Sequence, residues 1–279
     1  MSNILLGTSG YDYPEWKGVF YPLDLKRKDF LSYYATKFNA LELNNTFYNM
    51  PAAERLLSFY ERSEGRLKFS IKANRLLTHE INSTWQNAAD DFRKAVNPLA
   101  QKDVLSAVLF QFPQSFHYTK ENRIYLAKMI SAFEGFPIVI EFRHKEWIRE
   151  SVFEGLEQRN ASLVFCDMPQ LKFLPDGTLL GTPFIGNTAY IRLHGRNAGA
   201  WYSNALEESG SANSAAHNGS DRYRYNYSDA ELSEFVPIIK NAVKARKRVQ
   251  VYFNNHPDGS GAKNAERLGE MVRGEGVIF

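Results

Sequence analysis

Seven short apolar runs recur along the chain, and each gives way to polar or charged residues at its end. In order they are Ala40-Leu-Glu-Leu-Asn44, Phe69-Ser-Ile-Lys72, Val108-Leu-Phe-Gln111, Ile138-Val-Ile-Glu-Phe-Arg143, Leu163-Val-Phe-Cys-Asp167, Tyr190-Ile-Arg-Leu-His194 and Val251-Tyr-Phe-Asn254. An eighth run, Ile4 to Ser9, precedes them and leads into an aromatic loop with Tyr11, Tyr13, Pro14 and Trp16. Between the runs lie stretches of helical period. The segment Lys26 to Phe38, for example, places Phe30, Leu31, Tyr34 and Phe38 on one side. Further helices are expected at Ala52 to Arg62, Asn87 to Gln101, Glu121 to Phe133, Ser151 to Asn160 and Asp229 to Arg246, with a last one through Ala265, Leu268 and Met271. Strand and helix signals in alternation predict a parallel sheet covered by helices.

The alternation within each run separates an open sheet from a barrel. Strand side chains change face at every residue, so Glu42 and Asn44 oppose Leu41 and Leu43. Likewise Ser70 and Lys72 oppose Phe69 and Ile71, Glu141 and Arg143 oppose Ile140 and Phe142, Arg192 and His194 oppose Ile191 and Leu193, and Tyr252 and Asn254 oppose Val251 and Phe253. An open doubly wound sheet meets helices on both faces and is apolar on both. One apolar face and one that turns polar at the strand ends predicts a TIM-type (β/α) barrel with a charged mouth, its chemistry at the C-terminal ends of the strands.

The size fits a single domain over residues 1–279, since such barrels run to roughly 250 residues. No stretch approaches the ~20 apolar residues of a membrane span, and the N-terminus lacks the basic and apolar regions of a secretory signal. The single cysteine, Cys166, excludes an internal disulfide framework, so a cytoplasmic location is expected. The net charge of +3, from 34 bases and 31 acids, is too mild to argue for nucleic acid by itself. Leu206 to Ser220 (LEESGSANSAAHNGS) has almost nothing to bury and reads as a mobile loop insertion.

The candidate catalytic groups are Glu42, Lys72, Glu141, Asp167 and His194, and the candidate substrate contacts are Thr8, Asn44, Gln111, Arg143, Arg192, Arg196, Tyr225, Asn254, Gly259 and Gly261. The leading reading is metal-free acid/base work on a small anionic molecule or phosphate, such as a phosphorylated sugar or nucleotide-derived compound. A carboxylate moves the proton while Arg192, Arg196 and Lys72 neutralise the substrate, arginine meeting carboxylate or phosphate with a two-pronged fork. Isomerase and hydrolase are the reaction classes considered. Asp258-Gly-Ser-Gly-Ala262, after the last run and at a helix start, stands where barrels often bind phosphate, as does His194-Gly-Arg196.

A structural ion network is the plainest alternative. A second is a metal-assisted isomerase or hydrolase with Glu42, Glu141, Asp167 and His194 as ligands, but the neighbouring cations oppose it and no HxH, HExxH or CxxC spacing supports it. No cofactor is therefore expected, with a divalent metal left open. Glycoside hydrolysis by a carboxyl pair depends on a separation that sequence does not give. Nucleic acid is the remaining partner class, for a nucleic-acid-binding or endonuclease-like barrel: Arg222-Tyr-Arg-Tyr-Asn-Tyr227 interleaves bases and aromatics, as strand-stacking surfaces do, although a loop folded over the mouth has the same composition. Lys244, Arg246, Lys247 and Arg248 read as a solvated helix end. His117 and His144 fall in predicted loops without metal spacing, and Cys166 reads as a core residue facing away from Asp167.

Several ordered blocks carry a family likeness: Gly7-Thr-Ser-Gly10, Trp16-Lys-Gly18 with Phe20-Tyr-Pro22, Glu42-Leu-Asn-Asn-Thr-Phe-Tyr48, Gln111-Phe-Pro113, Glu141-Phe-Arg-His144 with Trp147, Asp167-Met-Pro169, His194-Gly-Arg196 and Phe253-Asn-Asn255. Together they resemble the signature blocks of the YecE-like family, also called domain of unknown function 72, from about Gly7 to Ala265. Tyr11 stands where tryptophan is frequent in the family. The resemblance implies a TIM-type barrel of bacterial or archaeal origin and names no substrate.

Overall fold

The computed structural model describes residues 4–176, 184–202, 221–245 and 247–277. Eight parallel strands close into a barrel in chain order: β1 (Ile4–Ser9), β2 (Ala40–Leu43), β3 (Lys68–Lys72), β4 (Leu105–Phe112), β5 (Ile138–Phe142), β6 (Ala161–Asp167), β7 (Thr188–Leu193) and β8 (Arg248–Phe253), with β8 pairing back to β1. The helices are α1 (Phe30–Lys37), α2 (Ala53–Arg62), α3 (Trp85–Gln101), α4 (Lys120–Ala132), α5 (Glu150–Glu157), α6 (Asp229–Lys244) and α7 (Ser260–Gly274). Each expected run is a strand, and each expected helix is present. The first helix is shorter than its apolar period because Arg27–Asp29 is wound as a 3-10 turn. The insertion expected at 206–220 lies outside the described residues.

Two apolar clusters correspond to the two faces of the strands. The larger gathers outward residues such as Phe69, Ile71, Phe110, Ile140, Phe165, Ile191, Val251 and Phe253 with the helix faces that cover them. The smaller fills the barrel interior below the mouth with Ala40, Ala107, Leu109, Val139, Val164, Tyr190 and Tyr252. A parallel barrel must bury its outer face against helices, which is why one residue parity is uniformly apolar. Gly7 leaves no room for a side chain: an added Cβ would lie 2.0 Å from the Ala40 carbonyl oxygen and 2.7 Å from the Tyr34 hydroxyl. Local signals fix the starts of two helices. Thr119 accepts from the Asn122 N–H ahead of α4, and Ser228 with Glu231 forms a reciprocal capping box ahead of α6.

Candidate functional site

The floor of the mouth is a chain of paired charges built from alternate residues of the strands. Glu42 is wholly buried; its Oε1 accepts from Ser9 Oγ and Arg192 Nη2, each at 2.6 Å, and its Oε2 accepts from the Tyr190 hydroxyl at 2.7 Å. Arg192 turns its Nη1 to Glu141 Oε2, also at 2.6 Å, so one guanidinium bridges two carboxylates. Arg143 Nε donates to the other oxygen of Glu141, and its Nη2 donates to His194 Nε2 at 3.1 Å. Asn254 meets the far ring nitrogen, Nδ1, at 3.0 Å. Because arginine can only donate, Nε2 must accept and the imidazole proton sits on Nδ1; the Asn254 amide, whose Nδ2 is the atom at 3.0 Å, must then be turned so that its oxygen accepts that proton. Ser70 Oγ, 2.7 Å from the Tyr190 hydroxyl, closes the other end.

These contacts decide who can move a proton. Burial opposes ionisation of Glu141, but the Arg143 and Arg192 guanidiniums outweigh it and hold its carboxyl well below the usual range. Burial, reinforced by Arg143, pushes His194 down to about 3 and keeps it neutral. Lys72 differs from the other charged groups. Its Nζ lies 4.2 Å from the centre of the Phe47 ring, and no carboxylate oxygen among the described residues is within ion-pair reach of it. Burial first, then the Arg192 and Arg143 charges, lower its pKa to about 8, with Glu141 and Glu42 opposing in part. His79 packs edge-on against Phe47 at 4.7 Å and is pushed down to about 3 by burial and by Lys72. The floor therefore holds the cations Lys72, Arg143 and Arg192 against the carboxylates Glu42 and Glu141.

Six expected site residues are placed elsewhere. Thr8 pairs in register with Leu41 and faces the helices, its hydroxyl bonded to Gly10 O and Tyr34 OH; the inward residue is Ser9, in register with Glu42. Asp167 is aligned with Leu193, an outward position, while Cys166 is aligned with Arg192 and points inward. The expected orientation of this pair is thus reversed. Asp167 accepts from Arg196 Nε and Nη2 at 2.9 to 3.0 Å and from Tyr227 OH at 2.6 Å. Arg196 is held further by Glu234 at 2.8 Å and faces Glu231 at 3.6 Å, so it is engaged outside the mouth. Tyr225 donates to Glu231 and packs over Gly195. Gly259 and Gly261 are buried: an added Cβ would lie 2.4 Å from Val19 Cγ1 and 3.3 Å from Asn255 O respectively, which makes both close-packing positions rather than an open phosphate cradle.

Gln111 is in register with Glu141 and buried, its amide donating to Phe112 O. Asn44 lies beside the mouth and lines a cavity of about 280 Å³ with Gly10, Tyr13, Asn45 and Arg55. Tyr190 shares the parity of Arg192 and was legible from it, although it read as part of an apolar run. Ser9, in a run of small residues without apolar contrast, was not, and neither were Trp201 and Tyr223. The Arg143 guanidinium lies 5.7 Å from the Trp201 ring, and Tyr223 sits 5.9 Å from His194 and 6.1 Å from His256. These aromatics cover the mouth, so part of the Arg222 to Tyr227 segment does fold over it. Arg224, by contrast, is paired with Asp221 and Asp258.

Comparison with known proteins agrees with the fold and the blocks. The family model described as "Protein of unknown function DUF72" matches residues 5–277. The chain belongs to the DUF72 family. The UPF0759 protein YunF of Bacillus subtilis (strain 168) is 26% identical over 278 residues, 96% of this chain and 94% of YunF. A DUF72 family protein from Thermotoga maritima MSB8 superposes with a TM-score of 0.83 at 29% identity, covering 97% of this chain and 99% of its own. One from Enterococcus faecalis V583 gives 0.79 at 25% identity, covering 97% and 95%. No helix among the described residues of this DUF72 barrel is long and apolar enough to cross a membrane.

The donor groups inside the DUF72 mouth suit a metal poorly. Glu141, Cys166 and His194 bring ligand atoms within 4.8 Å of one another. Both oxygens of Glu141 are already taken by guanidiniums, however, and His194 Nε2 accepts from a third guanidinium N–H. Burial also raises the Cys166 thiol well above its ordinary pKa, whereas zinc needs the thiolate.

Proposed function

We propose that this DUF72 protein is an enzyme that holds a small anionic, polyhydroxylated compound, such as a phosphorylated sugar, in the barrel mouth and moves a proton on it without a metal. The observation that carries the reading is Lys72: an ammonium without a carboxylate partner among the described residues, with a pKa lowered to about 8, in a floor whose carboxylates are already committed. A substrate anion supplies the missing counter-charge, and burial strengthens that pairing. A lysine near neutrality in pKa exchanges protons readily. Glu42 and Glu141, as arginine-paired carboxylates, orient Arg192 and Arg143 rather than act as bases. Neutral His194, fixed between Arg143 and Asn254, serves as a hydrogen-bonding group. An isomerase, which needs one group to remove and return a proton, fits this arrangement better than a hydrolase.

The test is thermal stability in the presence of phosphate and a panel of phosphorylated sugars, since a ligand of the folded state raises Tm by mass action. A rise that Lys72→Met abolishes supports the reading, and solvent deuterium appearing in the active sugar completes it. No response to any small anion, with salt-sensitive oligonucleotide binding instead, would replace it with the nucleic-acid reading.

A further inference from the structure

At the rim of the barrel, just beyond Arg143 and outside the ion network, the loops after β4 and β5 bring together His117, His144 and Glu146. His117 Nδ1 lies 3.4 Å and His144 Nδ1 3.5 Å from the same carboxylate oxygen, Glu146 Oε2. The three ligand atoms all fall within 4.8 Å of one another, and the two imidazoles meet edge to face at 4.6 Å. Zinc bound at ~2.0–2.1 Å by tetrahedral nitrogen and oxygen ligands requires ligand-to-ligand edges of about 3.3 Å. Two edges of this triangle already have nearly that length.

The triangle is held from behind. Trp147 donates its indole N–H to Phe116 O at 2.6 Å, and its ring stacks between Phe116 at 5.1 Å and Phe142 at 4.5 Å. That stack fastens the residue before His117 to the turn that carries His144 and Glu146. The Tyr118 N–H donates to Glu146 Oε2 at 3.3 Å and aims the carboxylate, as outer hydrogen bonds do around metal ligands. His144 Nδ1 accepts a long bond, 3.3 Å, from the Glu146 N–H, which a metal ion would displace. His144 is buried, while the His117 and Glu146 side chains are 55% and 45% exposed, so a fourth coordination position faces solvent. Lys145 is the cation adjacent in sequence; Arg149 is drawn aside onto the Tyr118 ring at 4.0 Å.

We propose that His117, His144 and Glu146 form a site for a borderline divalent cation, zinc above all, with two imidazoles and one carboxylate as ligands and a fourth place open to water. Nitrogen-rich donors of this kind select zinc, cobalt, nickel or copper over magnesium and calcium. The ion would clip the β4 loop to the β5 loop next to Arg143. This site is independent of the chemistry proposed for Lys72.

The test is titration of tag-free protein with Zn²⁺ by calorimetry, and with Co²⁺ followed by visible absorption. The expected result is one equivalent of either ion, with intense cobalt bands of four-coordinate geometry. Outer-sphere changes around metal sites cost 10–100-fold in affinity, so His117→Ala and Glu146→Gln, which remove ligands, should each weaken binding by at least roughly 100-fold. Both residues are substantially exposed, and the variants are checked for an unchanged circular dichroism spectrum. Cys166→Ser, in the cluster inside the mouth, should leave the stoichiometry intact. Absence of binding, or binding that survives both ligand substitutions, would overturn the proposal; loss only in Cys166→Ser would transfer the metal to the mouth.

Discussion

Arg192 Nη1 stands 2.6 Å from Glu141 Oε2, and both side chains are almost wholly excluded from water. A bridge of this kind is asymmetric in its energetics. Desolvation of the ions offsets most of the attraction while the pair is intact, but removal of one partner leaves a buried charge with nothing opposite it.

Arg192→Met therefore exposes Glu42 and Glu141 to each other without their common partner. The expected loss is about 3–5 kcal/mol of folding stability, the range for breaking a buried pair. Denaturant unfolding measures it. A loss under about 1 kcal/mol, the ceiling for typical exposed pairs, would mean that the floor is wetter than its geometry implies.

The same pairing sets an acid limit. The folded-state pKa of Glu141 is depressed, so its contribution to stability is fully present above the unfolded value of 4.5 and is lost as pH falls towards the folded value. Stability should decline from about pH 5 downward. Glu141→Gln should be less stable at neutral pH and show a shallower decline over that acid range, read from urea midpoints at successive pH values. An unchanged slope would remove Glu141 as the group responsible.

The location of this floor was legible because side-chain parity is a geometric constant of strands: Glu42, Lys72, Glu141, Arg143, Arg192 and His194 were all placed by it. Parity failed at the ends. Asp167 closes its run on a polar residue, yet the ladder pairs it with Leu193 and turns Cys166 inward, because a thiol and an aliphatic side chain look alike in a hydrophobic pattern. Thr8 and Ser9 raised the same ambiguity in a run of small residues. Arg196, Trp201, Tyr223 and Tyr225 lie beyond the strands, where no period governs direction. His117 and His144 meet only because consecutive barrel strands end side by side, which a search for short metal spacings does not detect.

Lys72 should behave as a functional residue held at a cost to stability. Its folded pKa of about 8 lies below the ordinary lysine value of 10.5, so the unfolded chain binds more protons between those values. Stability contributed by this group therefore rises as pH increases from about 8 to 10.5 and is penalised below that window. Lys72→Met should raise Tm at neutral pH, with a gain of roughly 1–3 kcal/mol, and flatten the alkaline rise. A fall in Tm would show that the ammonium has a stabilising partner.

Gly7 tests the closure of the barrel between β1 and β2. An alanine methyl there would meet the Ala40 carbonyl oxygen at 2.0 Å and the Tyr34 hydroxyl at 2.7 Å; the first is backbone, and the second is held by its bonds to the Thr8 N–H and the Ala40 carbonyl. Overpacking in a close-packed region typically costs 1–3 kcal/mol and more when backbone must move. Gly7→Ala should lose at least about 3 kcal/mol or fail to accumulate as soluble protein. Near-native stability would mean that the first strand can shift without opening the sheet.

Arg196 separates a substrate clamp from a structural pair. Its guanidinium is bound to Asp167 at 2.9 Å and to Glu234 at 2.8 Å, and Asp167 is buried with Tyr227 as its further hydroxyl donor among the described residues. If anions are drawn by Lys72 and Arg143 in the floor, Arg196→Ala should leave any phosphate-induced rise in Tm intact while lowering the baseline Tm. The lowering reflects a buried carboxylate deprived of its cation, about 1–3 kcal/mol for an arginine that is 29% exposed. Asp167→Asn should restore part of that loss in the Arg196→Ala background, because a neutral amide no longer needs the guanidinium. Loss of the phosphate response in Arg196→Ala, with the baseline unchanged, would return Arg196 to the anion site and displace Lys72 from its centre.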